Sequence, residues 1–227
     1  MSFIKSTIPA IGALVVLALI PWTAQSAPVT LPAKNTPTGY VALLLVNEVP
    51  FPGDTAYVSE QNSKHAMVEI LAVLENRLHA IPRPYTQREV AGIRTRNIID
   101  IITAGGVAGQ VQGFYKNDRG EYVVVPRVSR RARHLLAIAN QGERGTFARL
   151  IEFAANTAKD YLDNGSAVED LFASIQSIRR VPVTGRAYAW MTNVHHINPG
   201  GNFIVIPPDD QGTLGGNRFF TLRKHIE

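Results

Sequence analysis

Apolar residues recur along much of this chain at helical spacing, and the polar and Pro/Gly positions between them mark where each run stops. From His65 to Leu78, the residues Met67, Ile70, Leu71, Leu74 and Leu78 follow the i, i+3, i+4, i+7, i+11 rhythm of one helix face. Pro82 and Pro84 end that helix. Thr86, with Glu89 three positions later, has the reciprocal pattern of a capping box and opens a second helical stretch through Val90, Ile93, Ile98, Ile101 and Ile102, before Gly105 and Gly106. Ser129 to Asn140 reads as a helix that is basic on one side. Gly145 to Leu162 carries the clearest period, through Phe147, Leu150, Ile151, Ala154, Ala158 and Leu162. Ser166 and Glu169 form another capping box, predicting a helix through Val168, Leu171, Phe172, Ile175 and Ile178.

Between these helices the pattern changes. Asn117 to Gly120 has turn composition, and its flanks are rich in aromatic and β-branched residues, which predicts a hairpin over Gly113 to Val125. After Pro182 the chain turns to Gly, Pro, Asn and aromatic residues, with strand-like pieces at Phe203 to Ile206 and Arg218 to Leu222. Val41 to Val46 is an apolar block that ends at Asn47 and Glu48, and Pro50, Pro52 and Gly53 prevent a helix from running on. The fold class expected is α+β, mainly helical, with a small β-hairpin element.

Composition narrows the function classes. With 227 residues, 45% hydrophobic and 18% charged, the chain is neither a disordered polyelectrolyte nor a polytopic membrane protein, and one domain is expected. The absence of cysteine excludes a disulfide framework, a thiolate zinc cage, a cysteine nucleophile and a lipid-modified N-terminal cysteine. A net charge of +5 favours an anionic partner without identifying one. Lys5 precedes an apolar run from Ile8 to Trp22, about fifteen residues, and small residues follow at Ala24 and Ser26. That is the pattern of an export signal over residues 1–26 with a mature start near Ala27; the other reading is an uncleaved anchor, the one route to a membrane contact. An extended lead-in over 27–39 and a working domain over 40–227 follow. The expected location is periplasmic or secreted, which removes nucleic acid as a partner.

The most informative carboxylate is Glu48, where an apolar element meets a Pro and Gly loop. A glutamate against apolar walls loses solvation of its charged form, so it can hold a proton for a leaving-group oxygen. Its bland reading is a surface carboxylate at an element end. His195 and His196 are adjacent and so lack the i, i+4 spacing of helical zinc motifs, and no metal or cofactor is expected. No Gly-x-Ser-x-Gly elbow anchors a serine triad, and the Gly pairs at 105–106, 200–201 and 215–216 read as turns. Arg127, Arg130, Arg131 and Arg133 form a basic cluster with His134 that suits a solvated helix face or a polyanion. Tyr115, Tyr122, Tyr188, Trp190 and Phe219 lie outside the helical stripes, where aromatic rings stack on sugars or simply pack.

Taken in order, five segments resemble the exported cell-wall hydrolases of the SleB type. Leu43 to Glu48 leading into Val49 to Asp54 is similar to that family's apolar helix and catalytic glutamate. Val73, Leu74, Glu75, Asn76 and Arg77 resemble its Val-Leu-Asn-Arg string, and Gln112, Gly113 and Phe114 its Gln-Phe segment. Pro182 to Tyr188 is similar to its Pro-Thr-x-Gly-Ala segment, and Leu214 to Phe220 to its closing string. Asn217 stands where the family has a histidine, Pro52 replaces a second glutamate, and Gly113 splits the Gln-Phe pair.

The resemblance implies a lysozyme-like domain acting on peptidoglycan glycan strands. Glu48 would be the general acid/base at the bond between N-acetylmuramic acid and N-acetylglucosamine, with Gln112, Phe114, Tyr188 and Asn217 lining the groove. The alternative is a degenerate, non-catalytic shell that binds glycan or serves as a scaffold, docked to an envelope or secretion-machine partner. A two-carboxylate glycosidase needs a partner about 5 to 9.5 Å from the acid. Asp54, Glu60, Asp118 and Glu121 each lack an evident reason to enter the pocket, so lytic transglycosylation with one carboxylate is the expected reaction.

Overall fold

Thr36 and Pro37 start the helix that buries the apolar block. The Thr36 hydroxyl accepts from the Gly39 N–H at 3.1 Å, and Pro37 brings a preset φ and no orphan donor to the first turn. The resulting helix α1, Pro37–Glu48, buries every residue from Gly39 to Val46, as a helix apolar on all sides must. In this computed structural model, residues 27–141, 144–192, 200–208 and 212–225 are described. The export signal expected over 1–26 and the pair His195 and His196 lie outside them. No helix among the described residues is long and apolar enough to cross a membrane.

Helices α2 (Glu60–His79), α5 (Pro126–Ala139) and α6 (Thr146–Leu162) pack around α1, with α6 making the most extensive contact. The buried face of α6 includes Ala148, Ala154 and Ala158, small side chains that let α1 approach closely. The segment before α1 is docked as well: the Val29 N–H donates to Asn140 Oδ1 at 2.7 Å, and Asn140 Nδ2 returns a bond to the Val29 carbonyl at 3.0 Å.

Two helix predictions are corrected. The stretch opened by Thr86 is two short helices, α3 (Gln87–Ala91) and α4 (Ile98–Thr103), because Gly92 takes a left-handed φ of 72° as the C-cap and Asn97 starts a new N-cap. The capping box itself is present at α3. The helix expected through Leu171 and Ile178 does not form. Two carboxylates capture the N–H groups it would have needed: Leu171 donates to Glu69 Oε2 at 3.1 Å and Phe172 to Asp170 Oδ1 at 2.7 Å. The segment instead turns into a short hairpin, β3 (Ser177–Ile178) with β4 (Val181–Pro182).

The first hairpin forms as expected, with β1 (Phe114–Lys116) antiparallel to β2 (Tyr122–Val124). Asn117 Oδ1 accepts from Arg119 and Glu121 N–H groups across the turn, and the Tyr40 hydroxyl of α1 reaches the Tyr115 and Val123 carbonyls. A four-stranded antiparallel sheet closes the molecule: β8 (Asn217–Leu222) lies between β5 (Ala189–Met191) and β6 (Phe203–Val205), and β7 (Thr213–Leu214) pairs with its start. The architecture is a mixed α+β fold, with six α-helices among the described residues.

Candidate functional site

Glu48 is the last residue of α1, and the elements around it fix both its backbone and its carboxylate. Gly215 and Gly216 make the tight β7–β8 turn with φ values of 52° and 67°. A Cβ on Gly215 would stand 2.7 Å from that of Ala66, so only glycine lets this turn sit on α2. Its N–H donates to Asn62 Oδ1 at 2.8 Å, and the next strand begins with the fully buried Asn217 beside the end of α1. Asn217 Nδ2 donates to the Glu48 carbonyl at 2.8 Å and to the Gly215 carbonyl at 3.1 Å, which satisfies one of the orphan acceptors at the helix C-terminus.

The side chain is held from β5. Trp190 Nε1 donates to Glu48 Oε2 at 3.0 Å, and the Thr192 hydroxyl bonds to the same oxygen. Among the described residues no donor meets Oε1. Arg77 stacks over the Trp190 ring with its guanidinium carbon 5.7 Å from the centroid. Arg77 is itself buried, donating to the Tyr188 carbonyl at 2.5 Å and to Gln110 Oε1 at 3.0 Å. Burial pulls its pKa down to about 10, so it stays charged at neutral pH.

The loop after Glu48 is clamped by Arg131, the one arginine of the basic cluster that turns inward. Its guanidinium donates to the Val49 carbonyl at 3.0 Å and to Asp54 Oδ2 at 2.7 Å, and Asp54 in turn accepts from the Phe51 N–H at 2.9 Å. Burial alone would raise Asp54; the Arg131 guanidinium and the Phe51 N–H together hold it below its ordinary value.

Behind the site lies a second polar layer. Asn76 donates to Asp170 at 2.5 Å and to the Ala187 carbonyl at 3.0 Å, while Arg186 donates to Asn76 Oδ1. Glu69 is fully buried, its Oε1 has no partner among the described residues, and burial followed by the nearby Asp170 charge pushes its pKa up to about 8.

Of the residues singled out for the groove, Asn217 alone meets Glu48, through the backbone. Phe114 is fully buried with its ring edge-on to Tyr40 at 5.2 Å, and Tyr188 is 1% exposed with its hydroxyl on the Ala80 carbonyl. Both rings are spent on packing and have no face to offer a sugar. Gln112 is exposed in the turn before β1, and that hairpin meets α1 through Tyr40, near the opposite end from Glu48. Sequence reasoning missed Thr192 and gave Trp190 no link to Glu48. Their spacing of two, which points both to one face of an extended segment, was the available signal.

The other carboxylates weighed as partners are committed or exposed. Asp54 is bound to Arg131, and Glu60 to Lys64 and Arg149. Asp118 and Glu121 face solvent around the hairpin turn. The chain matches no protein-family model, no curated protein and no solved structure.

Proposed function

We propose that the protein is an exported peptidoglycan glycosidase with a lysozyme-like domain, cleaving between N-acetylmuramic acid and N-acetylglucosamine with Glu48 as general acid/base, as a lytic transglycosylase. The observation that carries this reading is the asymmetry of the Glu48 carboxylate: Oε2 is held by Trp190 and Thr192, and no described donor meets Oε1. An indole N–H can only donate, so Oε2 acts as an acceptor and Oε1 is the oxygen left to exchange a proton with the substrate. That oxygen gives its proton to the glycosidic oxygen as the bond to the anomeric carbon breaks. The carboxylate, now charged, takes the proton of the muramoyl 6-hydroxyl while that oxygen closes on the anomeric carbon. Atoms balance without water, and the glutamate ends protonated as it began.

Asp54 and Glu60 are bound to arginines and Asp118 and Glu121 lie in solvent around the hairpin turn, which favours this route over one that needs a nucleophile or a base for water. Trp190, Thr192 and Asn217 are positioning residues for Glu48. The test is digestion of purified sacculi. Clearing by the wild type that vanishes in Glu48→Gln supports the enzyme, and products one water lighter than reducing-end fragments identify the lytic route.

One observation favours the second reading, a glycan-binding or scaffold shell: Phe114 and Tyr188, the aromatic residues expected in the groove, are buried. Sacculus pull-down by wild type and Glu48→Gln alike, without clearing by either, would establish it.

A further inference from the structure

About 23 Å along the chain from the Glu48 end of β8, taking the seven steps from Asn217 to Lys224 at roughly 3.3 Å each, lies a depression that the Glu48 chemistry does not use. It has a volume of about 240 Å³ and sits where the β3–β4 hairpin base meets the chain leaving β8. Arg83 and Lys224 stand in its lining with the Gln176 amide and the Thr184 hydroxyl, and no carboxylate lines it. Both cations are exposed and have no ion pair among the described residues.

The hairpin that forms one side adds a second observation. Its tip is Arg179 and Arg180, at φ values of 47° and 68°, in the left-handed region that such a two-residue turn ordinarily fills with Asn and Gly. Branch-free but bulky arginine side chains are held there against local preference, and both are exposed. Gln176 and Val183, paired at the hairpin base through the Val183 N–H, also line the depression, so the strained tip lies three residues from its rim. Two cations thus line a concave surface whose other lining, Ile175, Val183 and Ala173, is apolar, and two more stand at the tip of the hairpin whose base forms part of its rim.

We propose that this depression binds a short acidic peptide. Separate cations on its lining suit carboxylates spaced along a chain, the amide and hydroxyl suit peptide groups between them, and the apolar wall suits aliphatic side chains; a bare inorganic anion would use only the first of these. The site is independent of Glu48.

The test is calorimetric titration of the mature chain with triglutamate, with inorganic phosphate and triglycine amide as comparators. Triglutamate binds, its affinity falls with added salt, and Arg83→Gln with Lys224→Gln weakens it at least about tenfold with an unchanged circular dichroism spectrum. Arg179→Asn with Arg180→Gly weakens it too while raising the melting temperature. Glu48→Gln binds as the wild type does, so loss of the glycosidase reading leaves this result standing. Equal affinity for phosphate, or triglutamate binding unmoved by the Arg83 and Lys224 substitutions, overturns the proposal, as does an absence of binding at low salt.

Discussion

Asn217 donates its side-chain amide to the main-chain carbonyl of Glu48 at 2.8 Å, from a position with no solvent exposure. One buried amide thereby ties the end of α1 to the start of β8, so the carboxylate is placed by the junction of the helical core and the sheet. Asn217→Ala removes the only donor described for that carbonyl. It is expected to cost about 1 to 3 kcal/mol in denaturant unfolding and to lower sacculus clearing, because the end of α1 loses its fixed relation to β5. Unchanged stability would show that water replaces the amide without loss.

Trp190 and Thr192 act on one oxygen of Glu48. Trp190→Phe keeps an aromatic ring beneath Arg77 but deletes the indole N–H, and Thr192→Val deletes the hydroxyl at nearly constant volume. Each is expected to reduce kcat about tenfold with little change in KM, since a donor that orients the acid is lost without a contact to the sugar. The double variant should lose less than the product of the two, because both donors restrain the same oxygen. Strict additivity, measured on soluble glycan strands, would argue for separate roles.

The Arg131 clamp gives a prediction about the loop after Glu48. Arg131→Gln leaves the Val49 carbonyl and Asp54 without their cation and should destabilise the fold by about 1 to 2 kcal/mol. Asp54 is held below its ordinary value in the folded state, so its contribution is present above the unfolded value of 3.8 and is lost as pH falls through the folded value. The gap between wild type and variant in thermal melts should therefore be wide near neutrality and narrow as the pH falls below 3.8.

How much of this was legible in the sequence depended on how far apart the deciding groups lie. The period through Met67, Ile70, Leu71 and Leu74 is local, and α2 follows it. The turn chemistry of Asn117 and Gly120 is local too, and the β1–β2 hairpin follows that. The capping pattern at Ser166 and Glu169 is no weaker than the one at Thr86 and Glu89, yet no helix grows from it, because Glu69, 102 positions earlier, takes the Leu171 N–H. Glu48 could be picked out because it ends an apolar run. Its partners could not, since only the register of β5 on β8, Trp190 opposite Phe219, brings the indole to it.

Glu69 carries the sharpest pH prediction. It is fully buried on α2, Oε2 accepts from Leu171, Oε1 meets no donor among the described residues, and Asp170 lies close by. Burial first, and the Asp170 charge second, raise its pKa from 4.5 to about 8, so the folded protein keeps the proton while the unfolded chain gives it up above 4.5. The folded state binds more protons between those values, and stability must fall as pH rises through that window. The span is on the order of 5 kcal/mol if Glu69 acts alone, with Asp170, also raised by burial, adding in the same direction. Glu69→Gln keeps the shape, offers an amide oxygen to Leu171 and cannot ionise. Its unfolding free energy should track that of the wild type at pH 4 and exceed it increasingly toward pH 9, where the wild type must either bury a charge or open the 170–175 turn. A constant difference between the two proteins across urea titrations at pH 4, 6 and 9 would show that Glu69 is not the group that titrates.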